Sequence, residues 1–164
     1  MKLSAQEEYG LRCLLRLARE GEGWSMTIPE IAFMEGLSTA YVAKLMRILR
    51  RWGYVRSARG KDGGYVLADP PEKIVVADVM FCLGGPFFDT YFCKHHAGEA
   101  LICTNDIDCS MRSLWKALQR SVDQLLRRLT LKDLLSSEDE IASMVSGPAK
   151  PGRDFVPVSD LNRA

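Results

Sequence analysis

The stretch Thr27-Ile-Pro-Glu-Ile-Ala-Phe-Met-Glu-Gly36-Leu37-Ser38-Thr-Ala-Tyr-Val-Ala-Lys-Leu-Met-Arg-Ile-Leu-Arg-Arg-Trp52-Gly53 decides the fold. Thr27 is placed to cap a short helix, Pro29 sits where a missing N–H costs nothing, and Glu30 closes the first turn. Ile31, Ala32 and Phe33 supply its apolar side. Gly36-Leu37 makes a tight turn, and Ser38 caps a second helix that runs to about Trp52 and stops at Gly53. Tyr41, Leu45, Ile48, Leu49 and Trp52 are expected along its core face, and Thr39, Ala40, Ala43, Lys44, Arg47 and Arg51 along the other. Two short helices joined by a glycine-containing turn, the second with a basic outer face, form a helix-turn-helix pattern.

The chain on either side extends this unit. Upstream, Leu11, Leu14, Leu15 and Ala18 recur at helical spacing over residues 4–20, with Ser4 as N-cap and Glu7 at the capping-box position. Cys13 beside that stripe reads as a buried thiol, and Glu8 and Arg12 as solvated charges. Downstream, residues 54–57 alternate as a strand, Arg59-Gly-Lys-Asp-Gly-Gly64 is a turn, and residues 65–67 return. This hairpin is a wing. A further helix is expected over 74–83, with Val75, Val79 and Cys82 in the core. Residues 84–109 lack periodicity and read as a loop, unusually long for a compact domain. Met111, Leu114, Trp115, Leu118, Val122, Leu125, Leu126 and Leu129 then mark one long amphipathic helix over 110–129. Thr130-Leu-Lys-Asp133 opens one more short helix through Leu135.

The expected architecture is therefore mostly α with a small β-hairpin: a winged helix-turn-helix domain over 1–83, a cysteine-rich loop over 84–109, a long helix with a short capping helix over 110–136, and a mobile tail over 137–164. No internal repeat is present.

Net charge is only +1, but its distribution is segregated. Residues 38–67 carry Lys44, Arg47, Arg50, Arg51, Arg56, Arg59 and Lys61 against Asp62 alone, a local +6, whereas 68–110 hold two basic and seven acidic residues. Such a basic face suits double-stranded DNA. Thr39, Ala40, Ala43, Lys44 and Arg47 would stand closest to base edges in the major groove, and Ser38, Tyr41 and Arg51 nearer phosphates. Arg59, with Gly60 and Lys61 at the wing tip, suits a narrow A/T-rich minor groove.

Three of the five cysteines, Cys93, Cys103 and Cys109, fall within the loop at C-x9-C-x5-C spacing. Without a secretory signal, this odd count points to metal, redox chemistry or burial rather than a disulfide scaffold. Thiolates bind iron–sulfur clusters and zinc. On spacing alone an iron–sulfur cluster, a structural zinc and a metal-free thiol switch all remain open, with His95 or His96 as candidate fourth ligands and Glu99, Asp106 and Asp108 as weaker ones. No nucleotide-binding glycine motif, H-E-x-x-H or cysteine–histidine pair is evident, so the chain is not expected to be an enzyme. The most apolar stretch, residues 74–88, is too short and too interrupted to span a bilayer, and a cytoplasmic location is the expectation.

Four segments carry a specific resemblance: Met-Lys-Leu-Ser at the start with Tyr9; Ser38-Thr-Ala-Tyr41 with Leu45, Leu49-Arg and Gly53; the wing Val55-Arg-Ser-Ala-Arg-Gly with Gly-Gly-Tyr65; and Thr130-Leu-Lys-Asp-Leu-Leu135. Over residues 1–136 the chain resembles the bacterial winged-helix iron–sulfur transcription regulators, which include Isc-operon, nitric-oxide-sensing and rhizobial iron regulators. That resemblance implies a homodimer in which the long helix crosses its partner, and a 2Fe-2S or 4Fe-4S cluster on Cys93, Cys103 and Cys109. It also implies that an acidic residue of the first helix, Glu8 of the partner subunit, completes the ligand set. Three departures stand out: nine residues separate the first two loop cysteines where five to seven are usual, Arg112 occupies the place of the Isc regulator's histidine ligand, and Ala43 replaces an acidic residue of its recognition helix.

Overall fold

The computed structural model describes residues 3–21, 23–58, 63–88, 93, 103, 105 and 107–147. Helix α1 spans Ala5–Glu20. The Ser4 hydroxyl accepts the Glu7 amide at 3.2 Å and the Glu7 carboxylate accepts the Ser4 amide at 2.8 Å, a reciprocal capping box. Thr27 and Glu30 repeat the device at α2, Ile28–Glu35. Hydrogen bonds from the Thr27 backbone and hydroxyl hold the Glu30 carboxyl below its ordinary value. At the end of α2, Gly36 takes the left-handed conformation with φ of 66°, which glycine adopts without steric cost. Ser38 then caps α3, Thr39–Arg51.

The inner face of α3 differs by one step from the expected one. Val42, Leu45, Met46 and Leu49 are fully buried, at i, i+3, i+4 and i+7. Tyr41 and Ile48 are half-buried and Trp52 is exposed, because a stripe centred on Leu45 and Leu49 is completed by residues 42 and 46 and leaves the bulkier side chains at its margins.

Strands β1 (Val55–Ala58) and β2 (Gly64–Leu67) pair antiparallel, with Val55 opposite Leu67 and Ser57 opposite Tyr65. Tyr65 also exchanges both backbone hydrogen bonds with Met26, at 3.0 and 2.8 Å, which ties the wing to the segment before α2. Gly64 permits this approach, since a Cβ there would lie 2.5 Å from the Met26 carbonyl oxygen.

Helix α4 begins at Val76 and ends at Gly84, later than expected, because Pro71–Lys73 form a 3-10 turn and the next residues pair elsewhere. Leu131 donates to the Ile74 carbonyl at 2.8 Å and Val76 to the Leu129 carbonyl at 3.0 Å, around an antiparallel bridge between Val75 and Thr130. The same bridge shortens the long helix: α5 spans Ser110–Leu126, since Leu129 to Leu131 are drawn back to the start of α4. Thr130 and Asp133 exchange reciprocal backbone–side-chain hydrogen bonds at the entry to a 3-10 turn, Asp133–Leu135.

Residues of α1, α2, α3, β1 and α4, with Leu131, share one core around Cys13, Leu14, Ile31, Leu45 and Val79. The tail expected over 137–164 is corrected in its first part. Ser137 and Glu140 form a third capping box and open helix α6, Glu138–Ser146. Val145 packs against Val76, Met80 and Leu129, and the Arg128 guanidinium donates to the carbonyls of Met144 and Gly147 at 3.1 and 3.3 Å. Residues 148–164 lie outside the described residues, as do Arg59, Gly60 and Lys61 of the wing and His95 and His96 of the loop. Within that loop, expected to be irregular throughout, Cys93 itself has helical backbone. Among the described residues no helix is long and apolar enough to cross a membrane.

Candidate nucleic-acid interface and thiol loop

The inner stripe of α3 dictates what its outer face offers. With Val42, Leu45, Met46 and Leu49 turned inward, Ser38, Thr39, Ala40, Lys44, Arg47, Arg50 and Arg51 are exposed, and Ala43 and Tyr41 are half-buried. Every DNA-facing residue expected on this helix except Ala43 and Tyr41 is thus open to solvent.

The helix is braced from behind. Glu35, at the end of α2 and with 6% of its side chain exposed, accepts Arg12 Nε and Arg16 Nε from α1, each at 2.8 Å. Burial opposes the charge of Glu35, but hydrogen bonds and attraction from Arg16 and Arg12 outweigh it and hold the carboxyl below its ordinary value. Arg12 is therefore a structural cation rather than the solvated charge expected. Tyr9 of α1 meets Tyr41 edge-on, with ring centroids 6.0 Å apart.

Arg50, outside the expected contact set, donates to the Ser57 hydroxyl at 3.4 Å and so links α3 to the wing, beside exposed Arg56. Both arginines belong to the basic run in the sequence. That run was the only signal for them, since neither lies on the face assigned to bases. A rigid helix and a wing strand thus present at least five cations with no competing core role, the arrangement that phosphate contact and groove reading require.

The five cysteines separate into two chemical kinds. Cys13 and Cys82 are buried, and burial pushes both thiols up to about 12, which leaves them protonated packing groups. Cys93, Cys103 and Cys109 are free and only half-buried. Cys109 is the N-cap of α5, its Sγ accepting the Arg112 amide at 3.3 Å. Among the described residues no three His, Cys, Asp or Glu side chains converge closely enough to hold a metal ion, so the three loop thiols are not brought together as a preformed set. Glu8 is exposed on α1. As donors the half-buried thiols suit an iron–sulfur cluster or zinc, and three of them leave a four-coordinate site one ligand short.

Helix α5 has no buried residue. Met111, Leu114, Trp115, Leu118 and Leu125 all stand exposed along it, an apolar face that the other described residues leave uncovered. Its C-terminal end is tied by Arg127, which pairs with Asp78 of α4 at 3.4 Å, and its middle by Gln119, which accepts the Phe88 amide at 2.9 Å. Burial raises the Asp78 carboxyl despite the opposing pull of Arg127.

Comparison with known proteins agrees with this geometry. The chain is 35% identical over 135 residues to protein rrf2 of Nitratidesulfovibrio vulgaris, covering 82% of this chain and 87% of that protein. It is 35% identical over 140 residues to the transcriptional regulator CymR of Bacillus subtilis, covering 85% and 93%. The solved structure of B. subtilis CymR, the global cysteine regulator, superposes with a TM-score of 0.67 at 30% identity, covering 82% of this chain and 96% of that one. The structure of T. potens IscR does so with a TM-score of 0.64, also at 30% identity, covering 82% and 86%. The CymR and IscR relatives are HTH-type transcriptional regulators and not enzymes. The winged helix, its basic outer face and the model for an iron-dependent transcriptional regulator that matches residues 3–137 lead to one conclusion: the chain belongs to the Rrf2 family of DNA-binding transcriptional regulators.

Proposed function

We propose that this regulator works as a homodimer on double-stranded operator DNA, with its affinity set by an iron–sulfur cluster, 2Fe-2S or 4Fe-4S, held by Cys93, Cys103 and Cys109. One observation carries the reading: the cysteines are divided into two buried, protonated thiols and three half-buried thiols in the segment between α4 and α5. Glu8 of the partner subunit is the proposed fourth ligand, with His95 or His96 as the alternative. When bound, a cluster with a non-cysteine ligand supplies a redox-sensitive and labile centre.

The chain's own residues provide the transmission. Cys109 caps α5, so a constraint on its sulfur acts on the first turn of the helix whose apolar face is proposed to meet a second copy. Glu8 lies on α1, the helix that braces both α2 and α3. Anchoring the loop at both places would fix the spacing of the two recognition helices, and release would shift the population of DNA-competent dimers. The recognition residues proposed are Ser38, Thr39, Ala40, Tyr41, Ala43, Lys44, Arg47 and Arg51, with Arg59, Gly60 and Lys61 at the wing.

The test is purification without oxygen, absorption and EPR spectra with iron and sulfide counts, and DNA titration before and after oxidation. Cys103→Ala is expected to lose the visible absorption and to change DNA affinity by about tenfold, a difference of ~1.4 kcal/mol. Unchanged affinity would break the coupling. A second reading, a metal-free or zinc-stabilised thiol regulator, draws on the likeness to a cysteine regulator, and the separation of the loop thiols favours its metal-free form. Colourless anaerobic protein with full DNA affinity would select it.

A further inference from the structure

Five side chains form a chain of contacts from the ion pair between α1 and α2 to the outer surface of α3. At one end the Glu35 carboxylate accepts Arg12 Nε at 2.8 Å and the Glu35 carbonyl accepts Arg12 Nη2 at 3.1 Å, which fixes the guanidinium. Its Cζ stands 5.4 Å from the centroid of the Tyr9 ring. Tyr9 meets Tyr41 at 6.0 Å with the rings 86° apart, and the Lys44 Nζ stands 5.9 Å from the Tyr41 centroid, three residues further along α3. Both tyrosines are half-buried and Lys44 is exposed. The line begins on a buried carboxylate and ends on a cation of the groove-facing surface.

We propose that Tyr9 is a positioning residue for DNA reading: through Tyr41 it holds the Lys44 ammonium in one orientation before DNA arrives. The physical basis is the entropy of lysine. Its four-carbon stem populates many rotamers in water, and DNA contact must select one. The face of an aromatic ring attracts an ammonium, an effect worth about twofold to fivefold in an equilibrium at an exposed site. That attraction has a direction only if the ring is held, and the edge-to-face contact with Tyr9 supplies the hold. Tyr9 is itself in contact with Arg12, whose guanidinium is held by the Glu35 carboxylate and carbonyl. The proposal rests on the assignment of Lys44 to the DNA-facing surface.

The experiment uses the full-length protein and the duplex that it selects from a randomised DNA pool, with affinity measured across a salt series. Lys44→Gln is expected to weaken binding and to reduce the salt slope by about one. Tyr9→Leu is expected to weaken binding about threefold although it lies off the DNA face, and Tyr9→Phe, which keeps the ring, to bind within about twofold of wild type. In the Tyr9→Leu background, Lys44→Gln should cost at least about twofold less than in wild type, because the pre-positioned cation is already lost. Multiplicative effects would overturn the positioning role and leave the DNA face intact, whereas no effect of Lys44→Gln would overturn that face and the proposal with it. Magnetic resonance of the wild-type protein gives an independent measurement that needs no Tyr9 variant to fold. The Lys44 ε-methylene protons, assigned by comparison with Lys44→Arg, should be shifted upfield by the Tyr41 ring current, and an unshifted resonance overturns the proposal.

Discussion

The winged-helix body and the α5 limb obey opposite rules. In the body, each helix of the motif places its apolar stripe against the others, and Val42, Leu45, Met46 and Leu49 of α3 are fully buried. In α5 a stripe of equal strength faces outward, with Met111, Leu114, Leu118 and Leu125 exposed. The same amphipathic pattern therefore serves two ends. Where partners lie within the chain it makes a core, and where they do not it leaves a surface for another molecule.

The most severe test of this contrast substitutes one leucine from each region. Leu49→Ala, which opens a cavity where no solvent reaches, should destabilise the protein by about 2–5 kcal/mol in chemical unfolding. Leu118→Lys should leave the helical circular-dichroism signal of the body in place and, on the proposed homodimer, convert dimer to monomer in sedimentation. A dimer that survives Leu118→Lys, or a body that unfolds with it, would erase the distinction between the two stripes.

That distinction was only partly legible in the sequence. Capping boxes are local, so Ser4/Glu7 and Thr27/Glu30 marked the true starts of α1 and α2. The turn at Gly36 was equally plain. The innermost residues of α3 were harder. Tyr41 and Trp52 drew the expected face toward large aromatics, whereas Val42 and Met46 fill the centre, because packing against α1 and α2 rather than side-chain size sets which angle faces in. The end of α5 could not be read locally at all. Leu129 continues the apolar period, but the backbone there pairs with Ile74 and Val76, more than fifty residues earlier. For the thiols, residue type announced soft-metal chemistry, while the sorting into sealed and accessible groups needed the tertiary structure.

A smaller effect sharpens the account of the body. The Glu35 bridge is a junction of the body built on charge, where two arginines of α1 converge on a carboxylate of α2. Glu35→Gln should cost about 1–2 kcal/mol at pH 7, since charge-assisted hydrogen bonds are weakened and Arg12 remains partly solvated. The sign of the pH dependence follows from the depressed carboxyl: the ionised form favours the folded state. Its contribution is complete above the unfolded value near ~4.3 and is lost as pH falls through the lower folded value. The stability difference between wild type and Glu35→Gln should therefore be constant from pH 8 to about 5 and shrink below about 4. A difference that grows on acidification would contradict the assignment.

The smallest expected effect lies where body and limb are joined. Helix α6 follows the segment matched by the family model and returns to the groove between α4 and the end of α5, where Val145 meets Val76, Met80 and Leu129. Arg128, one residue beyond the Arg127–Asp78 pair, donates to the carbonyls at the far end of α6. A nine-residue helix is too short to be stable alone in water, so its order depends on both this docking and its N-terminal capping box. Ser137→Ala removes the acceptor for the Glu140 amide and should cost about 1 kcal/mol, expressed locally. Hydrogen exchange is the measurement: amides of α6 should lose about fivefold in protection while those of α3 keep theirs. Equal loss in both helices would mean that α6 unfolds only with the whole body. It would then count as part of the core rather than as a clasp at the root of α5.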